Sequence, residues 1–558
     1  MAAPHPPLPP LVRRLLEPAA YPHATAAIRL IETHISWVLL TGEFVYKLKK
    51  PCNLGFLDFS SLEKRRECCR EEVRLNRRFA PDLYLDAVPI TGSADAPRIG
   101  GAGEPIEWAV RLRQFDEAGR LDRLLDAGML SADDCARLGA EIAAVQRRLA
   151  PADPAAEWGT PDTFRRTVAL NLEQIRRGRP AAAPRADRLA AWVERAVESA
   201  RPLFAARIAA GKIRECHGDL HLANIVLHGG RMTAFDGIEF NASLRWIDVA
   251  SDMAFLAMDL EARGRPDLAA HVVSAWMEAA DDHAAAGVLP VSTVYRAIVR
   301  AAVAAIRHGQ AVAAGDGDTA AASLEESDRY LDLAERLTVR GRPVLMVTSG
   351  VSGSGKTTVA ARVVGACRAI RLRSDVERKR LAGMAATERP ADAAAEKSLY
   401  DPATTAIVYE RLAALAGGLL AAGCRVVVDA ACNVRSQRDA LAAVARARGV
   451  PLVWLDFDLP ADELIARVER RRAAGTDASD ASAEVVRRQC AAREPITAVE
   501  VVAVPLARRI RVGAAETADP RRLDALLAEA LRAESAREDA PAAESPPAWS
   551  GADGGRGE

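Results

Sequence analysis

Val344 to Ser349 is an apolar stretch that runs without a break into Gly350-Val-Ser-Gly-Ser-Gly-Lys-Thr357, and Lys356-Thr357-Thr358 then opens a run with helical spacing. A strand, a glycine-rich loop and a helix in that order direct successive backbone N–H groups and the helix N-terminus at one point, where an anion such as phosphate is held. Strand and helix keep alternating downstream. Strand-like Ala369 to Arg373, Arg425 to Ala430, Leu452 to Phe457 and Arg509 to Val512 are separated by helical segments from Ala393 to Ala422, from Ser436 and from Ala461. This alternation predicts an α/β domain with a parallel sheet flanked by helices.

The 558 residues are too many for one core, so roughly two to four domains are expected. Lys plus Arg and Asp plus Glu are both 75, a formal net charge of zero, and no long basic stretch marks a nucleic-acid or membrane partner. Nine scattered cysteines without a C-x-x-C pair argue against a disulfide framework or zinc site and fit a reducing cytoplasm. The N-terminus lacks the features of a secretory signal. Charges interrupt the apolar runs before the ~20 residues a membrane span needs, so no membrane partner is expected.

Residues 29 to 50 alternate like strands, with Thr41-Gly42-Glu43 at a hairpin turn and Lys47 near the end of the second of two predicted strands. A helix from Leu62 to Phe79 and strand-like Val88 to Ile90 and Trp108 to Phe115 complete an α+β lobe. From Ala132 to Ala210 and from Val249 to Thr338 the spacing is helical. Between them lies His217-Gly-Asp-Leu-His-Leu-Ala-Asn224, followed by Phe235-Asp236-Gly237 on a short hairpin around Gly229-Gly230. A mixed lobe, a helical lobe and a polar hairpin between them make a bilobal kinase layout. The expected organisation is a flexible 1–24, a kinase-like domain at 25–339, a linker at 340–343 (Arg-Gly-Arg-Pro), a P-loop domain at 344–520 and a disordered tail at 535–558. Two independent cores are expected on either side of the linker.

Phosphoryl transfer from ATP needs a cation on the phosphates, Mg²⁺, and a carboxylate that orients the attacking hydroxyl and takes its proton. Asp219 fits the catalytic base, Asn224 and Asp236 the metal ligands, and Lys47 the phosphate cation, fixed by Glu72 or Glu71 on the following helix. Lys49 and Lys50 crowd the same strand end and are alternatives to Lys47. His217 and Asp252 fit structural support of the loop, and His221 a structural or substrate-facing place.

On these residues the segment resembles the aminoglycoside phosphotransferase family, relatives of choline, homoserine and fructosamine kinases with a protein-kinase-like fold. Their H-G-D-x-x-x-x-N motif is matched at His217, Gly218, Asp219 and Asn224. Tyr46-Lys-Leu-Lys-Lys-Pro51 with Leu54-Gly-Phe-Leu-Asp-Phe-Ser60 is similar to a bacterial group in which this domain precedes a P-loop kinase. No G-x-G-x-x-G precedes Lys47, unlike protein kinases, which points to small-molecule rather than protein acceptors.

In the second segment Gly350, Gly353, Ser354, Gly355 and Thr358 belong to the phosphate loop, Lys356 reaches the β and γ phosphates, and Thr357 suits Mg²⁺. Asp375 follows the second strand where a kinase places its acceptor, so it is a candidate catalytic residue. Asp429 ends the next strand as a Mg²⁺ ligand or acceptor-binding carboxylate. Arg467, Arg470 and Arg471 share a helix, with Arg467 and Arg471 four residues apart as a lid over phosphates requires. Together these resemble small-molecule P-loop kinases: gluconate, shikimate and adenylylsulfate kinases, polynucleotide kinases and zeta-type toxins. The sequence therefore predicts a cytoplasmic bacterial phosphotransferase using ATP or GTP with Mg²⁺ at two sites. The competing readings are a nucleotide-switched scaffold and a nucleic-acid end kinase.

Overall fold

The computed structural model describes residues 8–33, 35–53, 57–339, 341–386, 388, 390–474, 483–504, 506–513, 516–517 and 519–535. The chain forms two compact units. One comprises Met1–Asp134, Glu141–Gly264 and Val288–Thr338; the other comprises Cys135–Ala140, Arg265–Gly287 and Val339–Glu558. The tail expected to be disordered, after Ser535, lies outside the described residues.

The first unit opens with α1 (Pro10–Arg14), where the sequence suggested a flexible lead-in. Val12 and Leu15 are fully buried in a cluster with Trp37, Tyr46 and Leu48, so apolar burial orders this segment. A six-stranded antiparallel sheet comes next, in the order β1-β2-β3-β6-β4-β5, from β1 (Arg29–Glu32), β2 (Ser36–Leu40), β3 (Phe44–Lys49), β4 (Tyr84–Ser93), β5 (Ala96–Ile99) and β6 (Glu107–Arg113). Residues 29 to 50 thus hold three strands rather than two. Thr33 Oγ1 accepts from the Ser36 N–H at 2.9 Å and turns the chain where alternation alone carries no break. Gly42, at φ 106°, makes the expected second turn.

Helix α2 (Leu62–Asn76) starts at Ser61, whose hydroxyl accepts from the Lys64 N–H. Its inner face sets Cys69 and Val73 among Val45, Tyr84, Val110 and Leu112 of the sheet. This packing carries Glu72 beneath β3.

The rest of the unit is helical: α3 (Leu121–Asp126), α4 (Ala132–Arg148), α5 (Pro161–Gly178) and α6 (Ala183–Ala209). Two small ribbons interrupt it. β7 (Ile213–Glu215) pairs with β10 (Trp246–Asp248), and β8 (Ile225–His228) pairs with β9 (Arg231–Ala234). The H-G-D loop runs from β7 to β8, and Asp236 follows β9. Helix α7 (Val249–Ala262) comes next, then α8 (Pro266–Ala280), α9 (Leu289–Ala314) and α10 (Gly317–Leu337). By length and composition α9 could cross a membrane, contrary to the sequence expectation, but 67% of its apolar window is buried inside the protein. It is the core helix of the lobe.

The second unit has a five-stranded parallel sheet in the order β12-β13-β11-β14-β15. Its elements are β11 (Leu345–Ser349), α11 (Lys356–Cys367), β12 (Ala369–Arg373), α12 (Ser374–Leu381), α13 (Ala393–Leu399), α14 (Pro402–Ala421), β13 (Arg425–Asp429), α15 (Arg435–Arg448), β14 (Leu452–Phe457), α16 (Ala461–Ala474), α17 (Ala483–Ala492), α18 (Ala498–Val502), β15 (Arg508–Val512) and α19 (Pro520–Ser535). Every residue of β11 and β14 is buried, as strands covered on both faces require. Leu523 and Leu527 of α19 lie in the same core, so ordered structure continues past residue 520.

Helix α8 belongs to this unit although it precedes α9 and α10 in the chain. Ser274 Oγ accepts from the Arg371 N–H at 2.9 Å, and Glu278 binds the Arg373 guanidinium at the end of β12. Residues 265–287 therefore tie the C-terminal unit to a segment on the far side of the linker. A proteolytic nick between residues 338 and 343 is expected to leave two pieces that co-elute in gel filtration until denaturant is added. Two pieces that separate under native conditions would contradict this.

Candidate active sites

In the first unit the H-G-D loop is held from below by α7. Asp252, fully buried, accepts from the backbone N–H groups of His217 (3.1 Å) and Gly218 (2.9 Å). Arg296 of α9 donates to the Gly218 carbonyl at 3.0 Å, and the Leu222 N–H donates to Asp259 at 3.0 Å. Gly218, at φ 84°, has no room for a side chain because a Cβ would stand 2.8 Å from the Leu244 carbonyl oxygen. His217 Nε2 lies 2.9 Å from the Phe235 carbonyl, so Nε2 carries the proton. Burial lowers its pKa below the ordinary histidine value, against the opposing pull of Asp252, and keeps the ring neutral. Both His217 and Asp252 thus brace the loop.

Asp219 emerges from this scaffold with its carboxylate about one-third exposed (35%). Its Oδ2 accepts from Asn224 Nδ2 at 3.0 Å and lies 3.4 Å from His221 Nε2. Desolvation works to raise its pKa, but His221, His217 and Arg300 outweigh that and hold it well below the usual carboxylate range. It is a ready anion at neutral pH. The Phe235 N–H donates to the Asn224 carbonyl at 2.9 Å, which sets Asn224 beside the residue that precedes Asp236. Asp236 adopts φ 62°, a left-handed conformation unusual for a non-glycine residue; its N–H donates to the Tyr84 hydroxyl at 3.0 Å.

Lys47 meets Glu72 Oε1 at 2.9 Å and also the Asp236 carboxylate. Of the two glutamates weighed from sequence, Glu72 is the one on Lys47; Glu71 turns to Arg74 and Arg245. Lys49, the alternative lysine, is fully buried and pairs with Glu72 and Glu239. Lys50 binds Glu32 at 2.6 Å, away from both. Burial favours a neutral Lys47, yet Asp236 and Glu72 overcome it and raise its pKa.

In the second unit Gly353 and Gly355 have φ of 83° and 89°, so the loop between β11 and α11 folds as only glycine allows without strain. A Cβ at Gly350 would stand 2.7 Å from Phe457, and one at Gly353 2.8 Å from Val468. Lys356 Nζ donates to the Val351 carbonyl at 2.8 Å and lies 3.5 Å from Ser354 Oγ, folded over its own loop. Thr357 and Thr358 occupy the first turn of α11. Gln489 of α17 accepts from the Ser352 N–H at 2.8 Å.

Asp375 is exposed in the first turn of α12, directly after β12. Asp429 ends the neighbouring strand, with Arg373 and Asp429 in register. It is buried, and Arg371 binds its Oδ2. Arg467 pairs with Glu463 at 2.6 Å and lies over Gly355, its Nη1 3.9 Å from where a Cβ would be. Arg470 is exposed, and the Arg471 side chain lies outside the described residues. Among the described residues no cluster of His, Cys, Asp and Glu forms a metal cage.

Sequence reasoning did not single out Glu239, Tyr84, Arg296, Arg371 or Gln489. Glu239 carried a faint signal, as an acidic residue in the apolar run after Asp236. The others act across long sequence separations, and no local spacing marks them.

The model described as "Phosphotransferase enzyme family" matches residues 53–288, and the one described as "AAA domain" matches residues 345–496. The uncharacterized proteins Rv2004c of Mycobacterium tuberculosis and Mb2027c of Mycobacterium bovis are 30% identical over 468 residues, covering 81% of this chain and 88% of theirs. Among solved structures, a choline/ethanolamine kinase family protein from Mesorhizobium loti is 14% identical (TM-score 0.34), covering 58% of this chain and 99% of its own. A gluconokinase from Sinorhizobium meliloti is 24% identical (TM-score 0.23), covering 35% and 99%. The chain is a kinase, with a kinase-like domain of phosphotransferase type and a P-loop domain, and it belongs to the same family as these mycobacterial proteins.

Proposed function

We propose that the chain transfers the γ-phosphoryl group of ATP to small-molecule hydroxyl acceptors at two separate centres, one in each unit. The observation that carries the reading is the cluster of Lys47, Glu72 and Asp236, joined to the Asp219–Asn224 pair through the Phe235 N–H bond to the Asn224 carbonyl. The phosphate loop of the second unit supports a second centre.

At the first centre Lys47, pre-oriented by Glu72, contacts the α and β phosphates. The Asp219 carboxylate accepts a hydrogen bond from the acceptor hydroxyl and takes its proton as the oxygen attacks γ-phosphorus; the bond to the ADP oxygen breaks. The Asn224 amide and the Asp236 carboxylate each carry oxygen donors, the chemistry Mg²⁺ prefers. Asn224 and Asp236 would hold a Mg²⁺ that would supply positive charge to offset that of the phosphates. At the second centre the loop N–H groups and the α11 N-terminus cradle the phosphates, Lys356 swings from the Val351 carbonyl to the γ group, and Thr357 presents a hydroxyl for Mg²⁺. Asp375 binds the acceptor at the carboxyl end of the sheet. Arg467, which lies by Gly355, covers the nucleotide in this reading, and Asp429 is buried and held by Arg371.

Two sets of variants test this. With Lys356→Ala silencing the second centre, Asp219→Asn should bind MgATP nearly as its parent does while turnover falls by about 10² to 10⁴. Asp236→Ala should lose Mg²⁺-dependent binding at the first centre; equal loss of binding in both variants contradicts the assignment. With Asp219→Asn silencing the first centre, Asp375→Ala should abolish acceptor phosphorylation yet spare slow ATP hydrolysis, since water needs no binding carboxylate. Full acceptor transfer by Asp375→Ala would remove that residue from the mechanism.

A further inference from the structure

Lys47 and Lys49 leave the same face of β3, two residues apart. Lys47 reaches Asp236, and Lys49 does not. The Lys49 side chain is fully buried, with its Nζ 5.4 Å from the centre of the Phe59 ring, and it donates to Glu72 Oε2 and Glu239 Oε1. Glu72 therefore divides its carboxylate, one oxygen to each lysine. Glu239 lies three residues beyond Asp236, so the Lys49–Glu239 contact fastens the segment after Asp236 to the strand that carries Lys47.

The same segment is fastened to α2. Arg245 donates to the Glu239 carbonyl at 3.0 Å, to Glu71 at 3.0 Å and to Glu215 at 3.1 Å. Asn76, near the end of α2, accepts from the Gly237 N–H at 2.7 Å. A buried charge is costly unless it is paired, so these contacts admit few alternative arrangements. Lys47 and Lys49 face three carboxylates, Glu72, Glu239 and Asp236. The carboxylate in excess suits an incoming divalent cation.

We propose that Lys49 and Glu239 are positioning residues of the kinase-like centre, whose buried pair locks β3, α2 and the Asp236 loop into one preformed MgATP-binding arrangement. This rests on the reading of that centre as a MgATP site. Lys49 is fully enclosed by Glu72, Glu239 and Phe59, so the pair acts through the residues it holds. Removing Lys49 leaves Glu239 and one oxygen of Glu72 buried without a cation, and that charge pulls at the Asp236 loop. Removing Glu239 as well relieves most of it.

The test uses the full chain in a Lys356→Ala background, with Asp236→Ala on that background as the zero for the first centre. Binding of a fluorescent ATP analogue is titrated against Mg²⁺. Lys49→Met is expected to weaken Mg²⁺-dependent binding by about 10- to 100-fold and to raise the Mg²⁺ concentration at half-saturation. Lys49→Met with Glu239→Leu is expected to recover most of the loss. A general loss of stability would move the thermal midpoint without that Mg²⁺ shift and without that recovery. If Lys49→Met does not fold, Glu239→Gln replaces it, with an expected loss of about 10-fold. Parental binding in Lys49→Met or Glu239→Gln, or a double variant no tighter than Lys49→Met, overturns the proposal. If Asp236→Ala binds as its parent does, the site reading itself fails and takes the proposal with it.

Discussion

One buried carboxylate, Glu72, decides how the first unit is assembled. It stands on the inner face of α2 with both oxygens taken by lysines from β3. Fully buried, it has no ready alternative to those partners. Its position therefore fixes the distance between helix and strand. Cys69 and Val73 on the same face bury the apolar remainder, so hydrophobic packing and ion pairing select the same seat for α2. The Asp236 loop then completes the charge arrangement through Lys47, and a left-handed backbone at Asp236 is accepted in return.

The second unit solves a similar electrostatic problem with backbone. Its phosphate loop relies on positive φ at Gly353 and Gly355 and on the close approach of Phe457 and Val468 to Gly350 and Gly353. Charged side chains enter later, at the carboxyl ends of the strands. There Arg371 holds Asp429, and Arg373 is held by Glu278 of α8. That last contact comes from a helix which the linear order of the chain assigns to the first half. The sheet of the P-loop unit is thus completed by residues 265–287, which bond to β12 through Ser274 and Glu278.

Much of this was legible in the sequence because the chemistry is local. The phosphate loop, the strand and helix alternation around it, and the H-G-D-x-x-x-x-N spacing each lie within a few turns of backbone. The turn at Thr33 was missed because two strands joined without a glycine or proline keep the same alternation as one. Glu239 and Arg371 were missed because their partners are 190 and 58 residues away in the chain. The choice between Glu71 and Glu72 needed the helix phase, which packing of Cys69 and Val73 sets. The placement of α8 was hidden for a stronger reason: nothing in an amphipathic helix names the sheet it will cover.

Two phosphoryl-transfer centres in one chain imply two nucleotide sites, so the stoichiometry of nucleotide binding separates this reading from a single-site one. Calorimetric titration of the full chain with a non-hydrolysable ATP analogue and Mg²⁺ should give two molecules bound per chain, and one in Asp236→Ala. A single bound nucleotide in the unaltered chain, retained in full by Asp236→Ala, would leave the kinase-like centre without a ligand and contradict a two-centre chain.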